Sequence, residues 1–373
     1  MPEKVYFAGA RARDPGQNTI TKIQHLFDEA GFSRIIEPGE LTAIKLHFGE
    51  WGNDSYINPV FVRQVVDKVR QSGGKPFLTD SNTLYRGSRS NAVDHLCTAV
   101  EHGFAYAVVQ APVLIADGLT GKNRREVEIH TKHFQNVLIS GDIADAHAMI
   151  VLSHFKGHEV AGFGGAIKNL AMGCAPPAGK QAQHCARPIH LPDKCTGCGT
   201  CIPVCPREAI SRIETREGPR ARIDYARCIG CFECMTICPN HAIDVDWETE
   251  IPDFLERMVE YACGAVKGKE NKTGYMNFLT HITPDCDCVP WSDAVIVPDI
   301  GILASRDPVA IDAASFDLVN GEKGNRGSQL RGNYQRGGDK FRGIRKNTDS
   351  VRQIQYGEEV GLGHGEYEII RLF

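Results

Sequence analysis

The sequence predicts an α/β host, a sheet covered by helices, interrupted by a small α+β module rich in cysteine. Three observations predict it. Strand-like and helix-like stretches alternate through residues 1–187 and again through 247–373. Ala148–Leu152 is a continuous apolar run of the kind used in a sheet buried on both faces. Residues 188–246, between them, hold two cysteine blocks, short strand-like pieces and little else. The expected domains are thus 1–187 (host, first part), 188–246 (module) and 247–373 (host, second part).

Taken in order, Val5–Ala8 reads as a short strand and Ile20–Ala30 as an amphipathic helix ended by Gly31. Leu41–Phe48 reads as a strand. Pro59–Gln71 sets Val60, Phe61, Val65, Val66 and Val69 at helical spacing and stops at Gly73 and Gly74. Phe77–Thr79 returns to strand and Ala92–His102 to helix, with His95 and His102 read as surface or packing residues. Beyond the module, Phe254–Cys263 and Pro308–Leu318 are expected helices, and Tyr275–Thr280 and Ala294–Val297 expected strands. Gly321–Asn347, rich in Gly, Arg and Lys, predicts an exposed loop or lid.

A chain of 373 residues is two to three average domains, and its 42% hydrophobic and 24% charged residues are the balance of a globular protein. Lys and Arg number 42 against 46 Asp and Glu, a net charge of −4 that excludes the basic footprint of a nucleic-acid binder. No run approaches the ~18 apolar residues of a membrane span, and the N-terminus has no signal-peptide pattern. The expectation is a cytoplasmic protein with no membrane or nucleic-acid partner. There, clustered cysteines hold metal more often than disulfides. The chain has 14.

Cys195, Cys198, Cys201 and Cys205 form C-x-x-C-x-x-C-x-x-x-C followed by Pro206. Cys228, Cys231, Cys234 and Cys238 repeat the pattern before Pro239, at a constant offset of 33 residues. Gly197 matches Gly230, and Ala209-Ile210 matches Ala242-Ile243. Zinc also binds CxxC pairs, but it does not explain two such runs at one offset. The duplication resembles bacterial two-cluster ferredoxins. In that arrangement three cysteines of each run and the fourth of the other share a cluster. The resemblance therefore implies one [4Fe–4S] cluster on Cys195, Cys198, Cys201 and Cys238, and a second on Cys228, Cys231, Cys234 and Cys205.

Ser153–Cys174 follows the buried strand and is dense in polar chemistry and glycine, so it falls where open α/β sheets place ligands. Gly162, Gly164 and Gly165 allow close backbone approach to an anion, and Lys156 and Lys168 supply charge, with His154 and His158 beside them. A glycine-rich turn with solvated lysines is the alternative. Lys45–Glu50, Thr79–Tyr85, Ser153–Cys174, Pro284–Cys288 and Asp299–Asp312 together resemble the DUF362 family of iron–sulfur proteins, which has no assigned reaction. His158-x-x-Ala161-Gly-Phe-Gly-Gly-x-x-Lys168, with His184 downstream, is also similar to the lysine-bearing loop of nickel-pincer lactate racemases. That likeness implies Lys168 tethering or facing a cofactor, His184 ligating a metal, and His158 as acid or base.

Six cysteines lie outside the repeat. Cys97 and Cys263 read as buried small hydrophobes. Cys286 and Cys288 flank Asp287 and could hold a third metal centre, with Cys174 or Cys185 nearby, or remain reduced thiols in a loop. His47, Glu50, Asp80, Asn82 and Tyr85 follow strand-like runs and either line the same cleft or cap turns. Arg326, Arg331, Arg336, Arg342 and Arg345 form a basic lid or a solvated loop. No G-x-G-x-x-G joins a strand to a helix, so a dinucleotide is not expected.

The leading expectation is a redox protein, an oxidoreductase by inclination. Two clusters would feed an anionic substrate or cofactor site and draw on a redox partner protein. The alternatives are a non-catalytic electron relay for a partner oxidoreductase, or a lactate-racemase-like metal enzyme whose clusters are structural.

Overall fold

A computed structural model of the chain describes residues 2–85, 87–184, 188–231, 233–245 and 251–373. Eight strands form the central sheet: β1 (Glu3–Gly9), β2 (Leu41–Lys45), β3 (Lys75–Asp80), β4 (Val113–Ile115), β5 (Ala148–His154), β6 (Thr273–Leu279), β7 (Gly301–Ser305) and β8 (Tyr367–Arg371). Their order is β8-β1-β7-β6-β5-β2-β3-β4, and β7 alone runs against the rest. The fold is mixed α/β with a mainly parallel sheet, as the alternating pattern predicts.

All seven residues of β5 are buried, which is why that strand reads as unbroken apolar sequence. Alternate residues feed two cores. Met149 and Val151 join Ile167, Leu170, Phe254, Met258 and Ile311 on one face. Ile150 and Leu152 join Ile23, Leu26, Phe27, Val62, Val65 and Val69 on the other. Helices α1 (Thr19–Glu29) and α2 (Pro59–Gln71) therefore cover one side. The other side carries α3 (Ala166–Cys174), α4 (Ile251–Val266) and α5 (Pro308–Asn320). Asn58 caps α2, accepting from the Val60 N–H, and Pro59 occupies the first turn, where no N–H is needed.

Four expectations are corrected. Ala294–Val297 is not a strand; the sheet instead uses Gly301–Ser305, where all five residues are buried. Cys97 is exposed, because the helix Ala92–Ala99 turns His95, Thr98 and Ala99 inward. His95 is fully buried, the packing member of the two alternatives expected for it. The Gly321–Asn347 segment is not a free lid: Leu330, Lys340 and Phe341 are buried. Nor are its arginines a free basic patch, since Arg336 pairs with Glu322 at 3.2 Å, Arg345 pairs with Asp285 at 2.5 Å, and Arg326 stacks on Tyr334.

Residues 188–245 build two small antiparallel ribbons, Pro188–His190 with Ile243–Val245 and Ile210–Thr215 with Gly218–Ile223. Helical turns Cys201–Val204 and Glu233–Thr236 carry cysteines of the two repeats. The segment has its own apolar cluster, in which Cys201 and Cys234 pack with Ile210, Ala221, Ile223 and Ile243. The boundary at 246 and 247 lies outside the described residues. Among the described residues no helix is long and apolar enough to cross a membrane.

Helix α4 is tied down by a buried carboxylate. Glu256 accepts from Lys132 Nζ at 2.7 Å, His133 Nε2 at 2.7 Å and Arg352 Nε at 3.0 Å. Burial pushes its carboxyl up, but these three donors outweigh burial and hold it at about 2. A depressed carboxyl contributes stability that is complete above its unfolded pKa of ~4.3 and is lost as pH falls towards 2. Glu256→Gln is expected to cost about 1–3 kcal/mol at pH 7. The gap to wild type in thermal unfolding should close as pH drops below ~4.3, and a gap independent of pH would refute this linkage.

Candidate functional site

The carboxyl ends of β3, β2, β5 and β6 lie side by side, and the segments that leave them make one cavity. His47 follows β2, while Ser81, Tyr85 and Arg89 follow β3. His158 and Glu159 lie on the hairpin after β5, Lys168 is on α3, His184 lies beyond it, and Cys288 follows β6. Cys231 and Glu233, from the second cysteine repeat, complete the wall.

The hairpin pairs Lys156–His158 with Gly162–Gly164. It lies flat on the loop after β6: a side chain at Gly157 would drive its Cβ into the Pro284 carbonyl oxygen. Gly162 has φ +79 and turns the chain beside Ser350. Gly165 caps α3, and the next two N–H groups, Ala166 and Ile167, donate to the buried Asp312 carboxylate at 2.7 and 2.9 Å. The glycines thus serve a hairpin and a helix start, and the helix N–H groups already have an anion.

Cys286–Val289 is a β-turn closed by the Val289 N–H to the Cys286 carbonyl at 3.0 Å. Its second residue, Asp287, is fully buried and faces the sheet. Its carboxylate takes His154 Nδ1 at 2.8 Å, Lys156 Nζ at 3.1 Å and Ser55 Oγ at 3.0 Å. His154 and Lys156 therefore anchor this turn from behind, whereas His158, Lys168 and His184 face the cavity. The sequence alone does not single out Asp287 as a functional residue; its place between two cysteines is the available signal.

Anchoring Asp287 projects the flanking cysteines the other way. His158, Cys286 and Cys288 bring three donor atoms within 4.8 Å of one another. Lys168 Nζ lies 3.4 Å from Cys286 Sγ. The hydrogen bond from Cys288 holds the Cys286 thiol well below its usual range, while burial opposes this and Lys168 assists. The same bond and burial raise the Cys288 thiol. Burial works against the Lys168 ammonium, but the Cys286 thiolate charge and its hydrogen bond outweigh it and keep it protonated. Burial, with Lys168 close by, holds His158 well below its ordinary value and His184 at about 3, so both rings are neutral. Burial raises the Glu159 carboxyl to about 7.

Behind the cavity lies a buried charge network. Arg89 bonds Glu50 at 3.1 Å and Tyr85 Oη, and it lies 3.5 Å from Asp80, which pairs with Lys45 at 3.0 Å. Tyr85 Oη also donates to the Cys288 carbonyl at 2.9 Å. Asn82 is occupied by Asp117. Glu50, Asp80 and Tyr85 thus brace the site from several directions, while the sequence alone gives Arg89 and Lys45 no role there.

In the cysteine-rich segment one small cavity is lined by Cys195, Cys198, Cys201 and Cys238. Burial raises the Cys201 thiol to about 11, and Cys238, Cys198 and Cys195 add to this as neighbours. Cys231 is raised to about 12 by burial, with Cys205 and Cys228 as its cysteine neighbours. The Ala209 N–H donates to Cys205 Sγ at 3.2 Å, and the Ala242 N–H donates to Cys238 Sγ at 3.3 Å, matched positions of the repeat. Gly197 and Gly230 are matched too, with φ +65 and +67, and a Cβ on Gly197 would strike the Pro219 carbonyl. Cys174 is buried on α3, Cys263 is half-buried, and Cys185 lies outside the described residues.

Residues 42–317 match the family described as a domain of unknown function, DUF362. No curated protein matches the chain. Among solved structures, the lactate racemase apoprotein from Thermoanaerobacterium thermosaccharolyticum aligns at 13% identity with a TM-score of 0.38. The alignment covers 69% of this chain and 49% of that one, so the chain spans about half of that protein's length.

Proposed function

The chain belongs to the DUF362 family, and we propose that it is a cytoplasmic iron–sulfur redox protein feeding electrons into the cavity at the sheet edge. The observation that carries this reading is Cys231. It is one of the repeat cysteines, yet it lines the same cavity as His158, Lys168 and Cys288. Two [4Fe–4S] clusters, when bound, would each take up and release one electron.

The residues present fit such clusters. Cys195, Cys198, Cys201 and Cys238 surround one cavity and would hold the first, and Cys205 stands with Cys228, Cys231 and Cys234 to hold the second. Backbone N–H groups already point at Cys195, Cys205 and Cys238, the contacts that tune cluster sulfurs.

Cys198 is exposed, so the first site would meet a protein redox partner, while Cys231 would face inward. Inside, the Lys168 ammonium would hold an anionic substrate, and neutral His158 and His184 would orient it.

Anaerobically purified protein should contain about eight iron and eight sulfide per chain, with EPR signals of reduced clusters. Zinc on these cysteines would overturn the proposal. Stoichiometric nickel lost on Lys168→Ala or His184→Ala would favour the racemase-like alternative.

A further inference from the structure

The turn at Cys286–Val289 carries chemistry that cluster binding does not use. Cys286 and Cys288 are two residues apart with their sulfurs within 4.8 Å of each other, Cys286 buried and Cys288 half-buried. Their backbone is fixed on one side by Asp287 and on the other by Tyr85 Oη on the Cys288 carbonyl. Closing a disulfide there requires these neighbouring sulfurs to approach to ~2.05 Å.

The same pair with His158 could be taken for a metal site, but the imidazole argues against it. The Val160 and Ala161 N–H groups donate to His158 Nδ1 at 3.2 and 3.0 Å. An amide can only donate, so Nδ1 is the acceptor and the neutral ring carries its proton on Nε2. Neither nitrogen is left with a free lone pair. Metal-bound histidine shows the reverse, donating from the nitrogen that does not touch the metal.

We propose that Cys286 and Cys288 are a redox-active thiol pair that closes to a disulfide and is reopened by the electrons of the iron–sulfur module. Only the electron source rests on the function proposed above. Reopening breaks one S–S bond and would take up two electrons, one from each cluster when both are bound, and one proton from the buffered solvent. Cys286 is released as a thiolate against the Lys168 ammonium, and Cys288 as a thiol. Closing is thiol–disulfide exchange with an anionic disulfide substrate. Cys288, on the cavity wall, passes its proton to the neighbouring Cys286 thiolate as it attacks one substrate sulfur and releases the first half as RS⁻. Cys286 then attacks Cys288 Sγ, and the second half leaves with the Cys286 proton as RSH. The two electrons lost by the pair are those gained by the substrate.

The test uses full-length, cluster-loaded protein held anaerobically in mixtures of oxidised and reduced glutathione at pH 7. Acid quenching, N-ethylmaleimide and peptide mass spectrometry then read the pair. Cys286 and Cys288 should become protected together, as one peptide two hydrogens lighter. Cys288→Ser should abolish closure while cluster EPR is retained, and Cys97→Ser, at an exposed position outside the site, should leave the transition unchanged. Photoreducing the clusters of closed protein should then restore two alkylatable thiols per chain, whereas iron-free protein should stay closed. Full alkylation at every ratio, or a metal ion beyond cluster iron that Cys288→Ser releases, would overturn the proposal. Closure that needs no iron and does not reverse on cluster reduction would remove the electron supply and leave the thiol couple standing.

Discussion

Arg89→Ala should lower the free energy of unfolding by about 3–5 kcal/mol, the cost of stripping one partner from a buried ionic network. The side chain is 2% exposed, and its guanidinium faces Glu50, Asp80 and Tyr85. Asp80 keeps Lys45 at 3.0 Å and Glu50 keeps the Ser88 N–H, but each would hold negative charge in a dry site with its main counter-charge gone. Against a typical total stability of ~5–15 kcal/mol, that loss would dominate every other single change in the host. Arg89→Lys should recover only part, because an ammonium cannot present the planar fork that meets two carboxylates and a phenol together. Urea denaturation of the three proteins at pH 7 measures this. A difference below ~1 kcal/mol would mean that the network is no stronger than an exposed ion pair. Because Tyr85 also holds the Cys288 carbonyl, the same substitution should slow closure of the thiol pair.

Cys205→Ala should cost the second cluster although Cys205 belongs to the first cysteine run. The neighbours decide this: Cys201 stands with Cys238, Cys198 and Cys195, and Cys231 stands with Cys205 and Cys228. Iron should fall from about eight to about four per chain, the content of one cubane. Adding Cys231→Ala should remove no further iron, since both would serve one cluster, whereas adding Cys201→Ala should remove the rest. Non-additivity of this kind identifies groups that act as a unit. The opposite pattern would mean that each run keeps its own four cysteines. Under the proposed function, loss of half the iron should also end electron delivery to the cavity, because Cys231 of the second set lines it.

Much of the architecture was legible because strand burial and helix amphipathicity act locally. The run Ala148–Leu152 and the helix Pro59–Gln71 carry their periodicity in the residues themselves. Ala294–Val297 misled because a short apolar run is equally suited to a buried loop, and Ile296 and Val297 are indeed buried outside any strand. The C-terminal segment misled because its charged residues are paired: Lys340 is fully buried, with three backbone carbonyls around its ammonium. Lys168 and His158 were legible, with His154 and Lys156, as a polar cluster at a strand end, and His184 through the likeness of its spacing to the racemase loop. Asp287 and Arg89 were not, because the contacts of Asp287 with His154 and of Arg89 with Glu50 join residues more than thirty positions apart. Sequence spacing cannot separate Lys156, spent on Asp287, from Lys168, which faces the cavity.

The shared wall formed by Cys231 and Glu233 has one more consequence. A loop whose shape depends on its inorganic core would slacken when that core is destroyed. Oxygen attack on the inner cluster would then both cut the circuit and unseal the chamber. Under the proposed function, exposure to air would thus open this wall of the cavity to solvent, an inactivation without any change at Cys286 or Cys288.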